Sequence, residues 1–321
     1  MTTPQLPIGS GFGFRSSAAQ VLDGIDLSGR LAIVTGGYSG VGLATVKALV
    51  DAGAHVIVPA RRRASAEEAL AGVDNVEVDE LDLSDLESVE AFAQRVLDSG
   101  RHVDLLINNA GVMACPEIRV GPGWESQFAT NHLGHFALAN RLWPALTANG
   151  GARVVALASL AHKRSGIRFD DLQFEQGYDK WLAYGQSKTA NILFAVHLDA
   201  VGQSSGVRAF AVHPGAIYTG LQRHTPHDEQ LEMDWIDENG NVAERFKTAE
   251  QGASTSTWAA TSPRLDGMGG VYCENCDIAT PTDVGAPDAN LRGVDAHAVD
   301  PETAARLWTL SAELTGVDAF A

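Results

Sequence analysis

Two rhythms alternate along the chain. Short, nearly continuous apolar runs occur at Leu31–Val34, His55–Val58, Val76–Leu81, Val103–Ile107, Val154–Leu157, Val207–Val212 and Gly270–Tyr272. Between them the apolar positions follow helical spacing. In Asp85–Ser99, residues Val89, Phe92, Ala93, Val96 and Leu97 fall at i, i+3, i+4, i+7 and i+8. Ser84 before that stretch, with Glu87 three residues on, predicts a capping box. Apolar runs separated by helices are the pattern of a parallel sheet buried on both faces. The alternation predicts a doubly wound α/β sheet with any ligand along the carboxyl edge of its strands.

The rhythm is absent or broken in four places. Residues 1–29 read as an N-terminal arm lying over the surface, residues 30–280 as one domain, and 281–321 as a C-terminal extension with a helix from Pro301 to about Thr315. Residues 162–181 and 216–249 interrupt the domain after strand ends. Long irregular segments in a compact domain are commonly functional, and 216–249 is the expected substrate loop.

Composition narrows the function classes. The formal net charge of −17 weighs against nucleic acid and anionic membrane surfaces as partners. Three scattered cysteines fit a reducing compartment rather than a disulfide scaffold. The start Met1-Thr2-Thr3-Pro4 has no signal-peptide character. Leu31–Val50, the most apolar stretch, carries Lys47 and four glycines that suit a turn better than a lipid-facing helix. The expectation is a cytoplasmic protein with no membrane anchor, acting on a small molecule and free to form a homo-oligomer.

The first run leads into Thr35-Gly36-Gly37-Tyr38-Ser39-Gly40-Val41-Gly42, and a helical pattern follows at once. Glycines let backbone turn sharply and approach a pyrophosphate, and the free N–H groups of a helix start face the phosphates. Gly36, Tyr38, Ser39, Gly40, Val41 and Gly42 are therefore candidate dinucleotide-binding residues. The second run ends Val58-Pro59-Ala60-Arg61, with no acid to take ribose hydroxyls and an arginine suited to a 2′-phosphate. A solvated basic loop is the competing reading of Arg61-Arg62-Arg63. NADP(H) is favoured over NAD(H).

Tyr184-Gly185-Gln186-Ser187-Lys188 places a phenol and an ammonium on one helical face. A tyrosine of pKa about 10 is a poor proton-transfer group at neutral pH, and a nearby ammonium is expected to lower that value. The spacing alone is common by chance. It occurs here in an ordered set with the glycine turn, Asp82-Leu83, Asn108-Asn109-Ala110-Gly111, Asn131, Ser159 and His213-Pro214-Gly215 with Thr219. With that set, roughly residues 30–275 resemble the short-chain dehydrogenase/reductase family. Asn131-His132-Leu133-Gly134-His135-Phe136, Ser159-Leu160-Ala161-His162 and Gly24–Gly29 resemble its retinol-dehydrogenase-like and WW-domain-oxidoreductase members.

The resemblance implies a doubly wound Rossmann sheet and hydride transfer between a nicotinamide cofactor and a carbonyl or alcohol. It implies that Tyr184 moves the proton and that Ser159 bonds the substrate oxygen. Lys188 would hold the nicotinamide ribose, and Asn131 would hold a water in a proton relay. Asp82, with Leu83, would sit by the adenine. Asn109, with Ala110 and Gly111, would support the cofactor. Pro214, Gly215 and Thr219 would meet the carboxamide. Two departures from family habit are Ala158 before Ser159 and the gap of 25 residues from Ser159 to Tyr184.

Several other residues invite chemistry. Cys273 and Cys276 lack further metal ligands nearby and are expected to be structural thiols, with no metal site in the chain. Cys115, His132 and His135 are expected to pack. His162, Tyr178 and Trp181 are pocket candidates, and Trp124 reads as core. A non-catalytic nicotinamide-sensing protein would share the fold but typically lose Tyr184 or Lys188. A sugar-nucleotide epimerase would space its glycines differently and carry more chain after residue 216.

Overall fold

A computed structural model describes residues 3–321. Seven parallel strands form its sheet: β1 (Leu31–Val34), β2 (His55–Ala60), β3 (Val76–Glu80), β4 (Leu105–Asn108), β5 (Arg153–Leu157), β6 (Arg208–His213) and β7 (Val271–Glu274). An eighth, β8 (Asp277–Ile278), returns antiparallel to β7. The order is β8-β7-β6-β5-β4-β1-β2-β3, so the winding reverses between β1 and β4. In such sheets the crevice for a ligand opens at that reversal. The predicted runs match the parallel strands to within two residues at each end. The two-residue β8 carries too short a pattern to be seen in sequence.

The helices cover both faces. α1 (Ala18–Val21), α2 (Gly40–Asp51) and α7 (Ala249–Thr261) pack on one face, over Val34, Val56, Val58, Ile107 and Phe210. α4 (Leu86–Asp98), α5 (Gly134–Arg141), α6 (Lys180–Gly202) and α8 (Pro301–Thr315) pack on the other, over Ile33, Leu106, Val154 and Tyr272. α3 (Arg63–Ala69) joins β2 to β3. The capping box at α4 differs from expectation. Asp85 is the N-cap and accepts from the Glu87 N–H, while the Ser84 hydroxyl donates to Asp82 at 2.6 Å. Gly134 lets α5 cross the chain at Leu83, since a Cβ there would stand 2.1 Å from the Leu83 carbonyl oxygen.

The arm is built into the molecule. The Gln5 carboxamide accepts from Tyr272 N and donates to the carbonyls of Tyr272 and Ala279, and Asp277 accepts the N–H groups of Ile8, Gly9 and Ser10. The C-terminal extension is held through Lys163, whose ammonium lies 2.8 Å from Asp295. Among the described residues, no helix is long and apolar enough to cross a membrane.

Candidate active site

The carboxyl ends of β1, β2, β4, β5, β6 and β7 open on one cavity of about 780 Å³. A second hollow, in the C-terminal extension at Thr280–Gly293, holds only about 50 Å³ and cannot take a dinucleotide. Every predicted catalytic and cofactor residue except Asn131 lines the large cavity.

At its centre the chain leaves β1 through Gly36, at φ +65°, and enters α2 at Gly40. Ser39 is the N-cap of α2 and makes no side-chain capping bond. Gly42 packs so closely that a Cβ would stand 2.3 Å from the Gly36 carbonyl oxygen. Asn109 holds the turn from β4, its amide donating to the Thr35 carbonyl at 2.8 Å. At the far end Arg61 follows β2 and makes no hydrogen bond or ion pair among the described residues, whereas Arg63 pairs with Glu67 at 2.8 Å. The competing basic-loop reading fits Arg63, while Arg61 faces the cavity.

Ser159 ends β5. Its hydroxyl accepts the Ala161 N–H at 3.1 Å, capping a short 3₁₀ turn. α6 starts at the N-cap Asp179, which accepts from Trp181 and Leu182, and presents Tyr184 and Lys188 to the same cavity. The Lys188 ammonium donates to the Leu157 carbonyl at 3.0 Å. Burial pushes the Tyr184 phenol up to about 12, with the Ser159 hydroxyl pulling the other way. Burial brings Lys188 down to about 8. The lowered tyrosine expected from the sequence is thus not what the protein groups alone produce, because removal from water outweighs the hydrogen bond with Ser159.

Asn131 lies behind the cavity wall, in a π-helical turn at Ala129–Leu133. Its side chain exchanges bonds with the Val112 backbone at 2.8 and 2.9 Å and donates to the Ser187 hydroxyl at 2.9 Å. Its carbonyl meets His135 Nδ1 at 2.9 Å, and His135 Nε2 meets the Thr35 hydroxyl at 2.9 Å. A carbonyl only accepts, so Nδ1 carries the proton and Nε2 accepts from Thr35. Thr35 in turn accepts the Ala110 N–H at 2.9 Å. One buried imidazole, neutral with its pKa lowered to about 4 by burial, ties the glycine turn to Asn131 and the end of β4.

Other candidates fall outside the cavity wall. His162 is wholly buried, donating from Nδ1 to the Ser159 carbonyl at 2.7 Å and accepting the Asp295 N–H at Nε2. It therefore steadies the Ser159 backbone from behind instead of lining the cavity. Tyr178 donates to the Cys115 carbonyl at 2.8 Å, and Trp181 donates to Glu229 at 2.6 Å. Trp181 packs edge-on to Trp235 at 5.9 Å, so it backs the wall that Trp235 forms. His132 bonds Ser311 among phenylalanine rings. Cys115, Cys273 and Cys276 are free and buried, and no group of three or more ligating side chains among the described residues could hold a metal.

Sequence reasoning missed part of the wall. Leu221, Trp235 and Phe246 come from the unpatterned loop, Leu291 from the C-terminal extension and Phe14 from the arm. The loop was signalled by its length and polarity; the arm and the extension gave no local signal for these residues.

Comparison with known proteins identifies the family. The family model described as short chain dehydrogenase matches residues 30–230. A Streptomyces lividans protein named "Probable oxidoreductase" is 45% identical over 298 residues, covering 90% of this chain and 98% of its own. Human "Retinol dehydrogenase 14" is 36% identical over 310 residues, covering 91% and 88%. The crystal structure of an uncharacterised protein from Mycobacterium Paratuberculosis superposes with a TM-score of 0.73 at 34% identity, covering 96% and 99%. This chain belongs to the short-chain dehydrogenase/reductase family and is an oxidoreductase of that family, with a mostly parallel Rossmann sheet.

Proposed function

We propose that the protein interconverts a carbonyl and an alcohol with NADP(H), as a soluble cytoplasmic enzyme. The observation that carries this reading is the convergence of Ser159, Tyr184 and Lys188 on a cavity that also holds the glycine turn and Arg61. The cradle suits a dinucleotide: Gly36 and Gly42 let the turn pack against Ala110 and Asn109 while lining the cavity without side chains, and Arg61 is an uncommitted cation at the ribose end. The bound nicotinamide supplies or takes the hydride.

The protein's own groups do the rest. Asp82 and Leu83 border the adenine end, and Asn109, Ala110 and Gly111 support the middle. Pro214, Gly215 and Thr219 meet the carboxamide. Ser159 orients the substrate oxygen, and Tyr184 passes its proton to that oxygen. Burial keeps the phenol protonated at neutral pH, the form needed to reduce a carbonyl. Lys188 holds the ribose and carries a positive charge below about pH 8. Asn131 serves the proton relay through the second lone pair of its carbonyl, the first being taken by His135.

The test is NADPH-linked reduction and NADP-linked oxidation across a panel of aldehydes, ketones and alcohols. Tight NADPH binding with no hydride transfer to any of them would favour a nicotinamide sensor over an enzyme.

A further inference from the structure

Phe14 belongs to the arm, yet its ring lines the cavity beside Phe246 and Asn275. Two cations lie against the ring. The Arg15 guanidinium lies 4.9 Å from its centroid and the Lys247 ammonium 4.7 Å. Lys247 is buried, donates to Asn275 at 3.0 Å and runs so close under Gly215 that a Cβ there would stand 2.7 Å from its side chain. Phe14 is thus coupled through one lysine to the turn assigned to the nicotinamide.

Arg15 acts on the same loop. Its guanidinium donates to the carbonyls of Glu244, at 2.8 Å, and Phe246, at 3.2 Å. Its own carbonyl accepts from Gln251 of α7 at 3.2 Å. The turn bearing both residues is closed by Gly13 N to Ser16 Oγ at 3.0 Å and Ser16 N to Gly13 O at 3.1 Å. Ser17 then caps α1, and Asp277 fixes the arm upstream. Phe14 and Arg15 are therefore set at a fixed place between two anchored segments.

We propose that the arm is a working part of the active site, with Phe14 a specificity-determining wall and Arg15 a positioning residue for the loop that carries Phe246. The proposal rests on the reading above that the Tyr184 end of the cavity takes the substrate.

The test uses the full chain with Phe14→Ala, Arg15→Ala, Arg15→Lys and, as an arm control, Phe12→Ala, whose exposed ring does not line the cavity. NADPH affinity, kcat and KM over linear and cyclic aldehydes, and amide hydrogen exchange of residues 234–247 are measured. Phe14→Ala should shift the KM ratio between cyclic and linear aldehydes about tenfold, the effect of taking one half-exposed ring face away from a bound substrate, with a smaller change in NADPH affinity. Arg15→Ala should speed exchange in 234–247 and raise KM, and Arg15→Lys should restore part of both. Phe12→Ala should match wild type. Unchanged KM ratios and unchanged exchange overturn the proposal, as does an equal change in Phe12→Ala. If wild type turns over no aldehyde, ketone or alcohol, the functional reading and the Phe14 wall fail together. Exchange in Arg15→Ala then decides by itself whether the arm positions the loop.

Discussion

Tyr184 and Lys188 lie one helical turn apart on α6, with the lysine ammonium 5.6 Å from the centroid of the tyrosine ring. Both are buried, and burial drives them in opposite directions, the phenol upward and the ammonium downward. Each is pushed towards its uncharged form, so the pair is least strained when the phenol holds its proton.

Tyr184→Phe removes only the hydroxyl. Turnover should fall by about 10² to 10⁴-fold, the usual share of a general acid–base group, while NADPH affinity and thermal midpoint stay near wild type. Lys188→Ala should lower both turnover and cofactor affinity. The check is steady-state kinetics beside direct cofactor titration. Near-normal turnover in Tyr184→Phe would remove the proton-transfer role.

Arg61 is expected to select the phosphorylated cofactor. Losing one charge-assisted bond costs about 1.5–3 kcal/mol, so Arg61→Ala should weaken NADPH by roughly tenfold or more and NADH little. Binding titrations with both cofactors decide it, and equal losses would show that Arg61 does not read the 2′-phosphate.

Acid should destabilise the fold through its buried histidines. Burial lowers His132 and His213 to about 3 and His135 and His162 to about 4, from an ordinary 6.5. The unfolded chain therefore takes up these protons first as pH falls. The stability they hold is complete above about pH 6.5 and declines towards the folded values, by up to about 1.4 kcal/mol per pH unit for each imidazole. Glu125 and Glu274, raised by burial, act in the opposite direction. Urea midpoints between pH 7 and 5 should fall, and His132→Leu should flatten the slope. An unchanged slope in that variant would rule His132 out as a contributor.

Cys273 and Cys276 should behave as inert packing. Both thiols are buried and pushed up by that burial, and Cys276 Sγ lies 3.2 Å from the Ser254 hydroxyl. A thiol reagent should label neither in the native state and both in urea. Elemental analysis should find no stoichiometric zinc, and zinc lost together with activity would reverse the assignment.

The sheet and the candidate site at Tyr184 and Lys188 were legible because local spacing sets them. Gly36, Gly40 and Gly42 announce a turn into a helix, and Tyr184 and Lys188 share a face wherever the helix lies. Residues whose roles depend on distant partners were not legible. Nothing near His162 in sequence says that it turns its Nε2 to Asp295. Asp85 and Ser84 are both good caps, and the competition was decided by Asp82, which takes the serine hydroxyl. Phe14 and Leu291 line the cavity from the arm and the C-terminal extension, outside the sheet.

The bonds between Gln5 and the backbone at Tyr272 and Ala279 join segments separated by 267 and 274 residues. A ribosome releases the arm well before its docking site. The arm, made before the segment it docks on, is thus among the last parts to find its place. Contacts this remote in sequence close slowly. Fusing a bulky partner at the amino end should therefore delay the final step of maturation more than the same partner placed after α8.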